Sequence, residues 1–245
     1  MFDIIIRGGT VVDGTGAPSH VADVAISGGV IVEVADRIVG EAFEEIDAHG
    51  KLVTPGFIDI HTHYDGQVSW DTLLEPSSCH GVTTVVVGNC GVGFAPVRPG
   101  QEEWLVQLME GVEDIPGTAL HEGISWEWET FPEYLQAIDK RRYAVDIAAY
   151  VPHGAVRGYV MGERGARNED ATAEDLAEMA RIVREAREAG AVGFSTSRTM
   201  GHKAKDGQPV PGTFASSDEL NALADALVAG GGGLFEVAPE VLPDG

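Results

Sequence analysis

The sequence predicts an α/β fold, the opening units of a parallel (β/α)₈ barrel, and three observations carry that reading. Short β segments fill the first fifty residues. Apolar strands then alternate with helical stretches, and the first of those strands ends in a pair of histidines, His61 and His63.

From Asp3 to Val34 the chain reads as a β-meander, with segments at Ile4 to Ile6, Thr10 to Asp13, Asp23 to Ser27 and Val30 to Val34. Glycine pairs at Gly8-Gly9 and Gly28-Gly29 punctuate it, and the second pair suits a two-residue hairpin, which needs positive φ at both central positions. A meander of this size makes a thin sheet with a marginal core, so it needs a partner to pack on. Residues 1–54 are therefore set apart as a first portion, and residues 55–245 as the barrel portion.

Five barrel strands are legible: Phe57 to His61, Thr83 to Gly88, Val145 to Val151, Ala191 to Ser195 and Leu234 to Ala238. One helix begins at Thr172, capped with Asp175 three residues on, and turns Leu176, Met179, Val183 and Ala186 to one face before Gly190. Another begins near Ser217 with Leu220, Leu223 and Leu227 inward. An insertion at 94–142 holds Trp104, Trp126, Trp128, Phe131 and Tyr134 among many acids; an aromatic cluster covering the barrel end explains it, and so does a roof over a site. A complete barrel needs eight units over about 250 residues. Five units, and an ending Pro239 to Gly245 without a closing helix, lead us to expect a segment of a longer protein, with an open sheet that stops at five strands as the alternative.

Composition narrows the function. The chain has 44% hydrophobic residues and a formal net charge of −23, from 39 acidic and 16 basic side chains. That charge opposes binding to nucleic acid or to an anionic membrane. No apolar run nears the roughly 20 residues of a spanning helix, and no signal-peptide order opens the chain, so a cytoplasmic location is expected. With only Cys79 and Cys90, a disulfide framework is not indicated.

Residues two apart on a strand share a face, so Phe57, Asp59, His61 and His63 point one way and Ile58, Ile60 and Thr62 the other. Ile58 and Ile60 are expected against the helical shell. The imidazoles are expected at the C-terminal mouth, where their Cα spacing of about 7 Å suits two rings converging on one cation. Asp59 is expected to accept a ring N–H from behind, with pairing to a buried arginine as its alternative. Cys90 ends the apolar run Val85-Val86-Val87-Gly88-Asn89 and reads as a third ligand, ahead of nucleophile or inert core residue. His153 and Arg157 follow the third strand and are candidate substrate-binding residues, although a histidine that satisfies loop backbone fits as well. His202, His20, His49, His80 and His121 read as surface, and Cys79 carries no signal.

These segments resemble the amidohydrolase superfamily, and within it the N-acyl-D-amino acid deacylases. The resemblance rests on Ile6-Arg7-Gly8-Gly9-Thr10-Val11-Val12-Asp13-Gly14, on Pro55-Gly56-Phe57-Ile58-Asp59-Ile60-His61-Thr62-His63 and on Gly81-Val82-Thr83-Thr84-Val85-Val86-Val87-Gly88-Asn89-Cys90-Gly91. It implies the N-terminal portion of a TIM barrel plus part of a small β-sandwich that both chain ends build. It also implies one or two Zn²⁺ ions, with Cys90 as a ligand, and a small-molecule amide as substrate. Further histidines would complete the metal site, and the catalytic aspartate would lie beyond Gly245, so residues 1–245 alone are expected to be inactive. Where the deacylases carry a histidine on the fifth strand this chain has Glu236, a carboxylate that could stand in as ligand or mark a weakened site. The rivals are a cyclic-amide hydrolase of the dihydroorotase or hydantoinase kind, and a metal-free barrel that binds without turnover. Acyl group, stereochemistry, metal count and oligomeric state are not legible.

Overall fold

The structure is a computed structural model that describes residues 1–240; the expectation drawn from the chain's ending falls largely on residues 241–245, outside that range. Two compact units divide the chain, one covering residues 1–57 and the other starting at Ile58.

The first unit is a five-stranded mixed sheet. β1 (Phe2–Val11), β2 (His20–Ser27) and β3 (Val30–Ala35) form the expected antiparallel meander. The two segments read at Ile4 and Thr10 are one strand, β1, whose register with β2 shifts between Ile6 and Gly9. Asp23 stabilises that bulge: its carboxylate accepts from the Gly8 N–H at 2.9 Å and from the Arg7 guanidinium at 2.9 Å. Gly28 and Gly29 have φ of 60° and 75° and join β2 to β3 with Ser27 opposite Val30, the geometry of a tight primed hairpin. β4 (Ala42–Asp47) and β5 (Leu52–Val53) were not foreseen; both run parallel to β1. Ile5, Ala25 and Ile38 make one small buried cluster, and Val11, Ala22 and Val24 another.

The second unit is a five-stranded sheet in chain order, β6 (Phe57–Asp59), β7 (Val82–Val87), β8 (Asp146–Pro152), β9 (Gly193–Ser197) and β10 (Leu234–Ala238). β7 to β10 are parallel neighbours, as expected from βα units. Three helices fill the insertion, α1 (Glu102–Glu113), α2 (Gly117–Gly123) and α3 (Phe131–Asp139). α4 (His153–Met161) and α5 (Glu163–Ala166) follow β8, α6 (Ala173–Glu188) precedes β9, and α7 (Ser217–Ala229) precedes β10.

Local sequence explains these boundaries. Thr172 and Asp175 form a reciprocal capping box at the start of α6, and Thr130 and Glu133 do the same for α3. Met179, Val183 and Ala186 of α6 and Leu223 and Leu227 of α7 are buried as their periodicity requires. They join Val85, Val87, Val151 and Phe194 from the sheet in one core, which also takes in Phe94, Trp128, Phe131 and Tyr134 from the insertion and its approach. Trp128 and Tyr134 pack edge to face at 4.9 Å. The aromatic residues of the insertion thus pack into the core.

One expectation fails at β6. Ile58 and Ile60 are exposed, because β6 is the end strand of the sheet and no helix among the described residues covers that face. Nor is any helix of the described residues long and apolar enough to cross a membrane.

Candidate metal centre

The ends of the parallel strands bring the chemistry together. The β6 ladder stops at Asp59, so His61 and His63 lie just past the strand, with their rings 5.3 Å apart between centroids and inclined at 65°. Cys90 follows β7 in a short turn, Asn89–Gly91, and takes φ of 57°. Its Sγ lies 3.2 Å from His61 Nε2. One donor atom from each of His61, His63 and Cys90 falls within 4.8 Å of the others, with His61 exposed, His63 half-buried and Cys90 buried.

The surroundings are electrostatically unusual. Burial, with His61 and His202 adding to it, lowers the His63 pKa to about 4, so its imidazole is neutral with a lone pair to give. Burial also pushes the Cys90 thiol up to about 12, and the carboxylates of Glu236, Glu113 and Asp65 push the same way. Asp65 is itself raised to about 8, chiefly by burial, with Glu113 contributing. Glu236, on β10, accepts the Cys90 backbone N–H at 3.0 Å, and burial raises its pKa. Glu113, at the end of α1, places Oε1 3.2 Å from His63 Nε2, while His63 Nδ1 is buried without a hydrogen-bond partner.

These observations fit a cation. Two imidazoles and a sulfur are the donors that zinc and its neighbours prefer. An orphaned ring nitrogen and a thiol held protonated by burial, with nearby carboxylates adding to it, are the features that a positive charge at this point relieves.

Other expected site residues lie elsewhere. Asp59 does not meet a histidine: its Oδ2 accepts from Ser77 Oγ at 2.9 Å, since the chain leaves the strand directly after it. His153 and Arg157 do not face open space. His153 is fully buried at the start of α4, its Nδ1 2.8 Å from Thr196 Oγ1 and its Nε2 2.8 Å from Glu219 Oε1, while the Arg157 guanidinium donates to the same Glu219 oxygen. All three side chains are buried and form one polar network. Cys79 is exposed and donates to Glu75, as a residue without a special role does.

Sequence reasoning missed several neighbours, Asp65, His202 and Glu113 among them. His202 was read as surface, but it is half-buried, bonds Ser197 through Nδ1 at 3.1 Å and lies close enough to His61 for its own pKa to be lowered by burial and by that ring. Glu113 sits inside the insertion without a motif. Only the fact that the insertion follows a strand end, where barrel sites are built, pointed toward it.

A family model described as the amidohydrolase family matches residues 44–238. The chain belongs to that family. Among amidohydrolase relatives, the D-aminoacylase of Alcaligenes xylosoxydans xylosoxydans is 33% identical over 231 residues, which are 94% of this chain and 43% of the relative. A crystal structure of D-aminoacylase, said to define a novel subset of amidohydrolases, superposes with a TM-score of 0.76 at 35% identity and covers 96% of this chain and 44% of that one. An N-acyl-D-glutamate deacylase from Bordetella bronchiseptica, complexed with zinc and a phosphonate inhibitor, gives 0.73 at 33% identity over 96% of this chain and 44% of that one. The chain therefore spans less than half the length of these amidohydrolases, and its α/β architecture is similar to theirs.

Proposed function

We propose that the chain supplies the metal-holding part of a deacylase that hydrolyses the amide of an N-acyl-D-amino acid. The observation that carries this reading is the convergence of His61, His63 and Cys90 donors within 4.8 Å at the C-terminal end of a parallel sheet. Long, even similarity to D-aminoacylase and to N-acyl-D-glutamate deacylase supports the substrate class. The zinc bound by the Bordetella relative, with the nitrogen and sulfur donors present here, supports zinc as the proposed metal.

When bound, the ion supplies Lewis acidity that polarises an amide carbonyl and acidifies water toward a pKa of ~7. The rest is the work of the chain's own groups. His63 is kept neutral by burial and so presents a lone pair at physiological pH. Glu236 is anchored on the Cys90 N–H, which fixes one carboxylate oxygen beside the donor set. The buried walls around Cys90 and Asp65 keep the local dielectric low, which strengthens every charge interaction at the mouth.

The deacylase resemblance implies an aspartate that carries the proton to the leaving nitrogen, and we propose that it is not among residues 1–245. Residues 1–245 alone are accordingly proposed to bind metal without turning over amides. Elemental analysis of protein purified without chelator is expected to show a transition metal. In the form that the cell produces, replacing His61 and His63 together by alanine is expected to abolish release of free amino acid from N-acyl-D-amino acids. Undiminished activity after that double change, or hydrolysis of hydantoins or dihydroorotate in preference, would overturn the reading.

A further inference from the structure

The two histidines and Cys90 reach the same point from segments that have no regular secondary structure of their own. His61 to His63 follow a strand that has already ended, and Cys90 sits in a turn where Gly88, Cys90 and Gly91 all have positive φ, at 79°, 57° and 72°. Side chains other than glycine adopt such backbone at a cost, so Cys90 stays there only if the surroundings fix it.

Two buried polar side chains do this. Asn89, with no exposed surface, donates through Nδ2 to Thr62 O at 3.0 Å and to Val86 O at 2.9 Å. Val86 O also accepts the Thr62 N–H at 3.1 Å and the Thr62 hydroxyl at 2.8 Å. The amide of Asn89, the residue before Cys90, therefore ties the carbonyl between the two histidines to Val86 near the end of β7. On the far side of the turn Ser195, also fully buried, donates to Gly88 O and accepts the Gly91 N–H at 3.1 Å. Its hydroxyl bridges both flanks of Cys90 from β9.

We infer that Asn89 and Ser195 are positioning residues: Asn89 locks the histidine-bearing segment to the cysteine-bearing turn, Ser195 locks that turn to β9, and together they preorganise the donor set for its cation. Neither touches the ion. Ligand geometry held in advance costs less to assemble on binding, and side chains that orient metal ligands typically matter by 10- to 100-fold in affinity. This rests on the metal-holding role proposed above.

The test uses Co²⁺ as the probe, because its thiolate charge-transfer absorption reports Cys90 directly, and compares Asn89→Ala, Ser195→Ala and, as a control, Val183→Ala in α6, a buried change away from the turn. Cobalt affinity is expected to fall about tenfold or more in both clamp variants, with a weakened thiolate band, and to stay unchanged in the control at a comparable loss of thermal stability. Amide hydrogen exchange at Thr62 in the metal-free chain is expected to quicken at least tenfold in Asn89→Ala and to hold in the control. Wild-type affinity and band in both clamp variants would overturn the inference. If Asn89→Ala fails to fold, Ser195→Ala decides on the same two optical readouts. If the wild-type chain binds no cobalt, the metal-holding reading falls by itself; exchange at Thr62 that is unmoved by Asn89→Ala would then overturn the clamp as well.

Discussion

At the scale of single residues, the most charged decision in the interior is Glu219. It is buried against His153 and Arg157, and burial alone would raise its pKa, but hydrogen bonds from His153 and Arg157 outweigh that and hold it below the usual 4.5. Burial lowers His153 below 6.5 against the pull of Glu219. Both shifts have one sign for stability, because between the folded and unfolded values the unfolded chain binds more protons. Stability is therefore expected to decline as pH falls, first below about 6.5 through His153 and then below about 4.5 through Glu219. Glu219→Gln strands the Arg157 charge and is expected to cost about 3–5 kcal/mol at neutral pH. Chemical denaturation at pH 7 and pH 4 checks both points, since the penalty of the variant must shrink in acid. His153 and Arg157 were read from sequence as substrate contacts because both follow a strand end, and nothing local announces that Glu219, more than sixty residues later, would close over them.

At the scale of elements, the turn after β7 is the most demanding piece of backbone in the site. A Cβ on Gly88 would stand 2.3 Å from the carbonyl oxygen of Tyr150 on β8, and φ there is 79°. Gly88→Ala is expected to cost about 1–3 kcal/mol, read as a lower melting temperature, and to weaken metal binding by displacing Cys90. Five barrel strands and the helices α6 and α7 were legible because apolar runs, capping residues and 3.6-residue periodicity coincide in them. β4 and β5 were not, since Ala42–Asp47 is largely exposed and acidic and Leu52–Val53 is too short to carry a pattern. The helices of the insertion escaped for a different reason: their aromatic residues suggested a cover, which drew the reading away from the helical spacing of Phe131, Tyr134 and Ala137 that buries one face of α3.

At the scale of the molecule, the donor group was readable because strand-end placement is a property of the fold, and H-x-H followed by a strand-end cysteine places three donor side chains without coordinates. What sequence could not give was how the donors are held, since Ser195, Glu113 and His202 reach them only when segments far apart in sequence are aligned. Metal is expected to stabilise this assembly: removing it by dialysis against chelator should lower the melting temperature of the chain, and adding it back should restore that temperature, because a ligand that binds only the folded state stabilises by mass action. The most direct test of the central claim is X-ray absorption at the metal edge of the chain isolated without chelator. The predicted first shell combines sulfur at about 2.3 Å with nitrogen at about 2.0–2.1 Å, and its sulfur contribution disappears in Cys90→Ser. A shell without sulfur, or a sulfur signal that survives Cys90→Ser, would contradict it.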